Sequence, residues 1–155
     1  MSLRKITVVL AVVAFLFAVA RTGKAHAQTS TKCAPSGFEN CSLNGGYGFA
    51  FTGLVAVKTN IDRIDDYNPL AAAGVWNFHG DGAFDAADTL TINGSVNNRH
   101  YSGTYSINPD GTGTAQFTSL GLTHVRDLVI VDQGKRVEFI QTDVGSVVQG
   151  AMFKQ

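Results

Sequence analysis

Beyond about residue 45, a turn signal recurs roughly every eight to twelve residues, and the runs between alternate apolar with polar or small side chains. This rhythm constrains the fold more than any other feature. It leaves room for strands and none for a long helix, so the chain reads as all-β. In the first run, Gly46 to Val57, the aromatics Tyr47, Phe49 and Phe51 alternate with Gly48, Ala50 and Thr52, which places the rings on one face. A polar stretch from Lys58 to Pro69 reads as the longest connection. Further strands are expected at Leu70–His79, Ala83–Ile92, Arg99–Ile107, Thr112–Ser119, Thr123–Val131, Arg136–Thr142 and Ser146–Phe153. The turns have identifiable chemistry. Asn93-Gly94 accepts positive φ at both central positions, and Asn108-Pro109-Asp110-Gly111 sets its first φ with proline. Gly80-Asp81-Gly82, Leu120-Gly121, Asp132 to Lys135 and Asp143-Val144-Gly145 supply the rest.

Short loops force antiparallel neighbours. An open meander of eight strands would expose two edges to pairing with other chains. Closure removes both edges and leaves an interior that side chains or one small ligand fill. The expectation is therefore an eight-stranded antiparallel up-and-down barrel. A β-sandwich is the alternative, although its Greek-key crossings need more long connections than this sequence offers.

The N-terminus has a different character. Arg4 and Lys5 precede an apolar run, Ile6 to Ala20, and Ala25-His26-Ala27 follows as a small-x-small site. That is the layout of a cleaved signal peptide, residues 1–27, and the run is short for a membrane span. Export points to a secreted or periplasmic protein, with no membrane attachment after cleavage. The remaining 128 residues, Gln28 to Gln155, suffice for one domain. They divide into an arm over 28–45 and a barrel over 46–155. Four basic residues and no acid leave with the leader, so the net charge moves from zero to −4. An acidic chain without a basic cluster argues against nucleic acid and anionic membranes as partners. The two cysteines, Cys33 and Cys41, are expected to pair in an oxidising compartment and staple the arm.

Alternation assigns an inward face to each strand. The expected lining is Tyr47, Phe49 and Phe51; Trp76 and Phe78; Phe84, Asp88, Leu90 and Ile92; Tyr101 and Tyr105; Phe117; Leu128 and Ile130; Val137, Phe139 and Gln141; and Val147, Ala151 and Phe153. Asp88, Arg126 and Gln141 fall among apolar neighbours. Buried polar groups need partners, and Arg126 or the hydroxyls of Tyr101 and Tyr105 are candidates for Asp88. The candidate ligand-binding set is Trp76, Tyr101 and Tyr105 as walls, with Asp88, Arg126 and Gln141 as polar handles. The last three strands are apolar on both faces, which points to a homo-oligomer contact through them.

The chemical motifs are weak. His79, His100 and His124 lack metal-ligand spacing and read as surface or rim residues. Asp81, Asp85 and Asp88 lack the pattern of a calcium loop. No nucleophile elbow or activated cysteine is present. Asn40-Cys41-Ser42 and Asn93-Gly94-Ser95 match a glycosylation pattern that matters only in a eukaryotic host. Neither a cofactor nor a metal is expected.

Three stretches carry a resemblance. They are Leu43-Asn44-Gly45-Gly46-Tyr47-Gly48-Phe49, the run Gly103 to Gly113, and the run Asp127 to Asp143. On these the chain resembles a group of small exported bacterial proteins without an assigned function. In layout it is similar, more distantly, to calycin barrels (lipocalins, avidins) and to allene oxide cyclase and dirigent-like barrels. The resemblance implies an apolar ligand in the barrel and, for the second kind, assembly into trimers. No site residue transfers from it. The functional expectation is binding of a small, mostly apolar ligand. One alternative is an isomerase or cyclase in which Asp88 or a tyrosine handles a proton. The other is a structural or surface-interaction protein with a solid core.

Overall fold

A computed structural model of the chain describes residue 33, residues 36–60 and residues 63–155. The expected leader and its cleavage site lie outside the described residues. Eight strands follow in chain order: β1 (Asn44–Asn60), β2 (Arg63–His79), β3 (Ala83–Ile92), β4 (Ser95–Ile107), β5 (Thr112–Ser119), β6 (Leu122–Val131), β7 (Arg136–Gln141) and β8 (Ser146–Lys154). Each pairs antiparallel with the next, and β1 pairs with β8 from Tyr47↔Lys154 to Val55↔Ser146, which closes the barrel. The all-β up-and-down barrel is thus the architecture, and the sandwich is excluded.

The turns that carried the strongest chemical signals form as their residues dictate. Asn93 and Gly94 adopt φ of 46° and 83° between β3 and β4. The Gly111 amide donates to the Asn108 carbonyl at 2.9 Å and closes the proline turn. The tight β3–β4 turn pulls the start of β4 back to Ser95, four residues before the expected Arg99.

Two expectations fail. The polar stretch from Lys58 to Pro69 is not a long connection. β1 and β2 remain paired as far as Asn60↔Arg63, with bulges at Val57/Lys58 and Lys58/Asn60. Pro69 lies inside β2, opposite Leu54, where pairing of β2 with β3 has yet to begin at Leu70↔Ile92. There the Pro69 carbonyl accepts from the Asn93 amide at 2.9 Å, just past the last β2–β3 ladder pair, so the missing amide hydrogen of proline breaks no ladder bond. Polarity did not signal a loop here: the β1–β2 pairing continues past Val55↔Ser146, where the β1–β8 pairing ends.

The second failure is the phase of β8. Val147 and Phe153 are 60% and 54% exposed, while Val148 and Met152 are buried. The inward residue between those two is Gly150, not Ala151. A Cβ on Gly150 would stand 2.7 Å from the Phe139 ring and from Phe51 Cβ. The ring occupies the space that a side chain would need, so an inward position carries a glycine and hides the alternation.

One end of the barrel is sealed by the arm. Leu43 is wholly buried beneath the strand ends. The Tyr105 hydroxyl shares its one proton between the carbonyls of Asn40 (2.8 Å) and Leu43 (3.0 Å), and the Ile107 amide donates to Asn40 Oδ1 at 2.8 Å. Tyr47 Oη donates to the Gly134 carbonyl at 2.6 Å, and the Phe38 amide donates to the Pro109 carbonyl at 3.1 Å. Cys33 and Cys41 are disulfide-bonded, with Cα atoms 5.7 Å apart. Closing so short a loop stabilises by about 2–3 kcal/mol. Replacing both cysteines by serine is expected to lower stability by about that amount in urea titrations, without loss of the strand signature in circular dichroism.

Above this seal the core is a stack of rings. Trp76 lies parallel to Phe84 at 4.0 Å and meets Phe117 edge-on at 5.5 Å, and Phe78 meets Tyr47 and Tyr105 edge-on at 5.2 Å and 4.9 Å. The lower half of the barrel is filled by side chains.

Candidate functional site at the open end

Toward the other end the packing stops. A cavity of about 440 Å³ opens there, lined by Phe51, Val55, Ala56, Leu70, Leu90, Ile92, Arg99, Phe117, Leu120, Leu122, Thr123, His124, Arg126, Gln141, Asp143, Val144, Gly145 and Ser146. Its walls come from β1 to β7, from Ser146 at the start of β8, and from the β5–β6 and β7–β8 turns. Its volume falls within the range of small-molecule sites, with mostly apolar walls and a few polar groups.

Three polar units face this space. The first is Arg126 on β6, in register with Leu128 and Ile130 as expected and only 1% exposed. Its guanidinium carbon sits 4.5 Å from the Phe139 ring centre, 4.8 Å from Phe51, 5.0 Å from Phe117 and 5.2 Å from Trp76. These ring faces attract the cation but accept no full hydrogen bond. Among the described residues, Nε and Nη1 of Arg126 have no hydrogen-bond partner. Burial pushes the group down to about 10, so it remains charged at neutral pH.

The second unit is Arg99 with Asp88, directly opposed across β3 and β4. Arg99 donates through Nε to Asp88 Oδ1 at 2.7 Å and through Nη2 to Oδ2 at 2.6 Å. The Tyr101 hydroxyl donates to the same Oδ2 at 2.9 Å and accepts from Trp76 Nε1 at 3.1 Å. Burial, then the neighbouring Asp88 charge, pushes the Tyr101 phenol up to about 12. Gly74 lies opposite Asp88 on β2, where a Cβ would stand 2.5 Å from that of Asp88.

The third unit is at the rim. Asp143, in the β7–β8 turn, accepts from the Val125 amide at 2.7 Å and from Gln141 Nε2 at 2.8 Å, and lies 2.7 Å from His124 Nδ1. Gln141 Nε2 also reaches Ser146 Oγ at 3.2 Å. This cluster ties β6 to the turn that borders the mouth.

The structure therefore separates the six expected site residues. Arg126 and Gln141 line the cavity. Trp76 and Tyr101 lie beneath and beside it, buried in the ring stack, and touch it through Arg126 and the Asp88 network. Asp88 takes its partner from Arg99 and Tyr101, not from Arg126. Tyr105 is at the sealed end, where it holds the arm, so it stands apart from the other five. Arg99, His124 and Asp143 were not expected. The first two share inward parity with Tyr101 and Arg126, a signal the sequence does contain. Asp143 sits in a turn, where parity has no meaning.

The remaining polar candidates are dispersed. Asp81 caps the Ala83 amide at 2.9 Å, Asp85 pairs with His79 at 3.1 Å, and Asp88 is inside, so the three carboxylates do not converge. Among the described residues, no group of three or more His, Cys, Asp and Glu is placed to hold a metal. Among the same residues, no helix is long and apolar enough to cross a membrane. Comparison with protein-family models, with curated proteins and with solved structures gives no match to the chain.

Proposed function

We propose that the protein is an exported binding module that takes one small, mostly apolar molecule into the open end of its barrel. The cavity of about 440 Å³ carries this reading. Its wall residues Val55, Leu70, Leu90, Ile92 and Leu122 offer an apolar body a surface to replace water. The closed eight-stranded up-and-down barrel supports it, since a barrel of that strand number has room for one small ligand. The isomerase or cyclase alternative asks Asp88 or a tyrosine to move a proton. Asp88 is held by three donors, and Tyr101 is pushed up to about 12, which weighs against proton transfer near neutral pH. The solid-core alternative fits the sealed half of the barrel but not the open half.

The neutral dye Nile red tests the reading. Wild-type protein is expected to bind it saturably with one-to-one stoichiometry. Ile92→Trp, which fills the mouth, is expected to weaken binding by at least about tenfold. Equal binding by both proteins, or none by wild type, would contradict the proposal.

Export is part of the same proposal. The charged and apolar leader, the Ala25-His26-Ala27 site and the Cys33–Cys41 bridge support a secreted or periplasmic location. So is assembly. Val129, Ile140, Val147 and Phe153 are exposed apolar residues on the outer face of β6 to β8, set among Asp127, Arg136, Glu138 and Gln149, and they support a contact between copies. Native mass spectrometry of protein from its own source checks both. The expected result is a chain beginning at Gln28, two hydrogens lighter than its reduced form, in a multimer. A chain that retains Met1, or one found only as monomer, refutes the respective part.

A further inference from the structure

We propose that Arg126 is an anion receptor, and that the molecule held in the cavity is a small amphiphilic acid whose carboxylate seats on its guanidinium. This inference rests on the cavity reading and specifies its ligand. It begins with the charges that face the cavity. Asp88 receives both forks of Arg99 and the Tyr101 hydroxyl. Asp143 receives the Val125 amide and Gln141 and is paired with His124. Each carboxylate is thus committed to its own local partners. Among the described residues, Arg126 is left as the cavity-facing cation without a carboxylate ion pair, in a space whose other charged groups are already paired.

Burying a lone cation costs several kcal/mol, and an apolar residue of similar volume is often neutral or stabilising in its place. Unpartnered buried N–H groups are rare in folded proteins and call for an explanation. The four rings around the guanidinium offset part of the cost. They leave Nε and Nη1 without acceptors. A ligand carboxylate supplies both the counter-charge and the acceptor, through charge-assisted hydrogen bonds that are strong where water is excluded. The apolar body of such an acid then lies along Leu90, Ile92 and Leu122 toward the mouth. With Arg99 paired to Asp88 and His124 to Asp143, one unpaired positive group in a mostly apolar lining selects a monoanion with an apolar tail over a neutral lipid or a polyanion.

The test compares decanoate with decan-1-ol on the full exported chain by calorimetry at neutral pH, alongside Nile red. Decanoate is expected to bind about ten- to a hundredfold more tightly than the alcohol. Arg126→Met is expected to level the two and to melt no lower than wild type. Equal affinity of wild type for the acid and the alcohol overturns the receptor and leaves the cavity reading intact. The same holds if sulfate or chloride protects the protein from thermal unfolding as well as decanoate does, because the site then holds an inorganic anion only. Failure of all three organic probes overturns both proposals. The wild-type comparison decides the matter even if the methionine variant does not fold.

Discussion

Trp76→Ala is expected to lower the stability of the barrel by about 3–5 kcal/mol, close to the limit of what a domain of this size tolerates. Trp76 is wholly buried at the point where the packed half of the barrel meets the cavity. It stacks on Phe84, meets Phe49, Phe117 and Tyr101 edge-on, and lies under Arg126. Truncation removes the transfer energy of the indole and leaves a void that eight hydrogen-bonded strands cannot collapse to fill. It also strips Tyr101 of a donor and Arg126 of one ring face. Urea titration followed by circular dichroism should show a lower midpoint with an unchanged slope. A loss below about 1 kcal/mol would mean that this ring is not central to the core.

Asp88→Asn is the second substitution with a large expected effect, about 3–5 kcal/mol, although it changes almost no volume. The Asp88 side chain is fully buried and that of Arg99 nearly so. The amide cannot accept from both forks of Arg99, and a buried cation is left without its counter-charge. Removing both charges together is a different matter. Asp88→Leu combined with Arg99→Met is expected to recover most of the loss, because burying the pair itself is costly. If the double variant is no more stable than Asp88→Asn, the loss does not come from an unpaired Arg99 and the pair has no such role.

Strand number, order and most inward faces were legible in the sequence because they depend on local alternation and turn chemistry. β3 and β5 have the expected bounds, and Asn93-Gly94 and Asn108 to Gly111 turn the chain as their residues require. The errors arise where alternation is silent. Val147 and Val148 present apolar side chains to both faces, and the deciding residue, Gly150, has no side chain to declare its direction. The paired ribbon of β1 and β2 beyond Val57 is polar in sequence, and polarity alone does not distinguish such strands from a loop. Arg99 was hidden by a strand expected to begin at that residue. With β4 extended to Ser95, it joins the inward parity of Tyr101, Tyr105 and Ile107. The pairing of Asp88 with Arg99 instead of Arg126 is a matter of cross-strand register, which a single strand's pattern does not contain. That the arm seals one end and leaves the other hollow follows from contacts between distant residues, such as Tyr105 with Asn40.

The most direct measurement is a methyl-labelled nuclear magnetic resonance titration with decan-1-ol. Eight strands that enclose one space, open at a single end, predict shifts at Val55, Leu70, Leu90, Ile92 and Leu122, with Leu43, Val137 and Met152 unmoved. Shifts concentrated instead on Val129, Ile140 and Val147 of the outer wall would place the ligand outside the barrel and contradict the account.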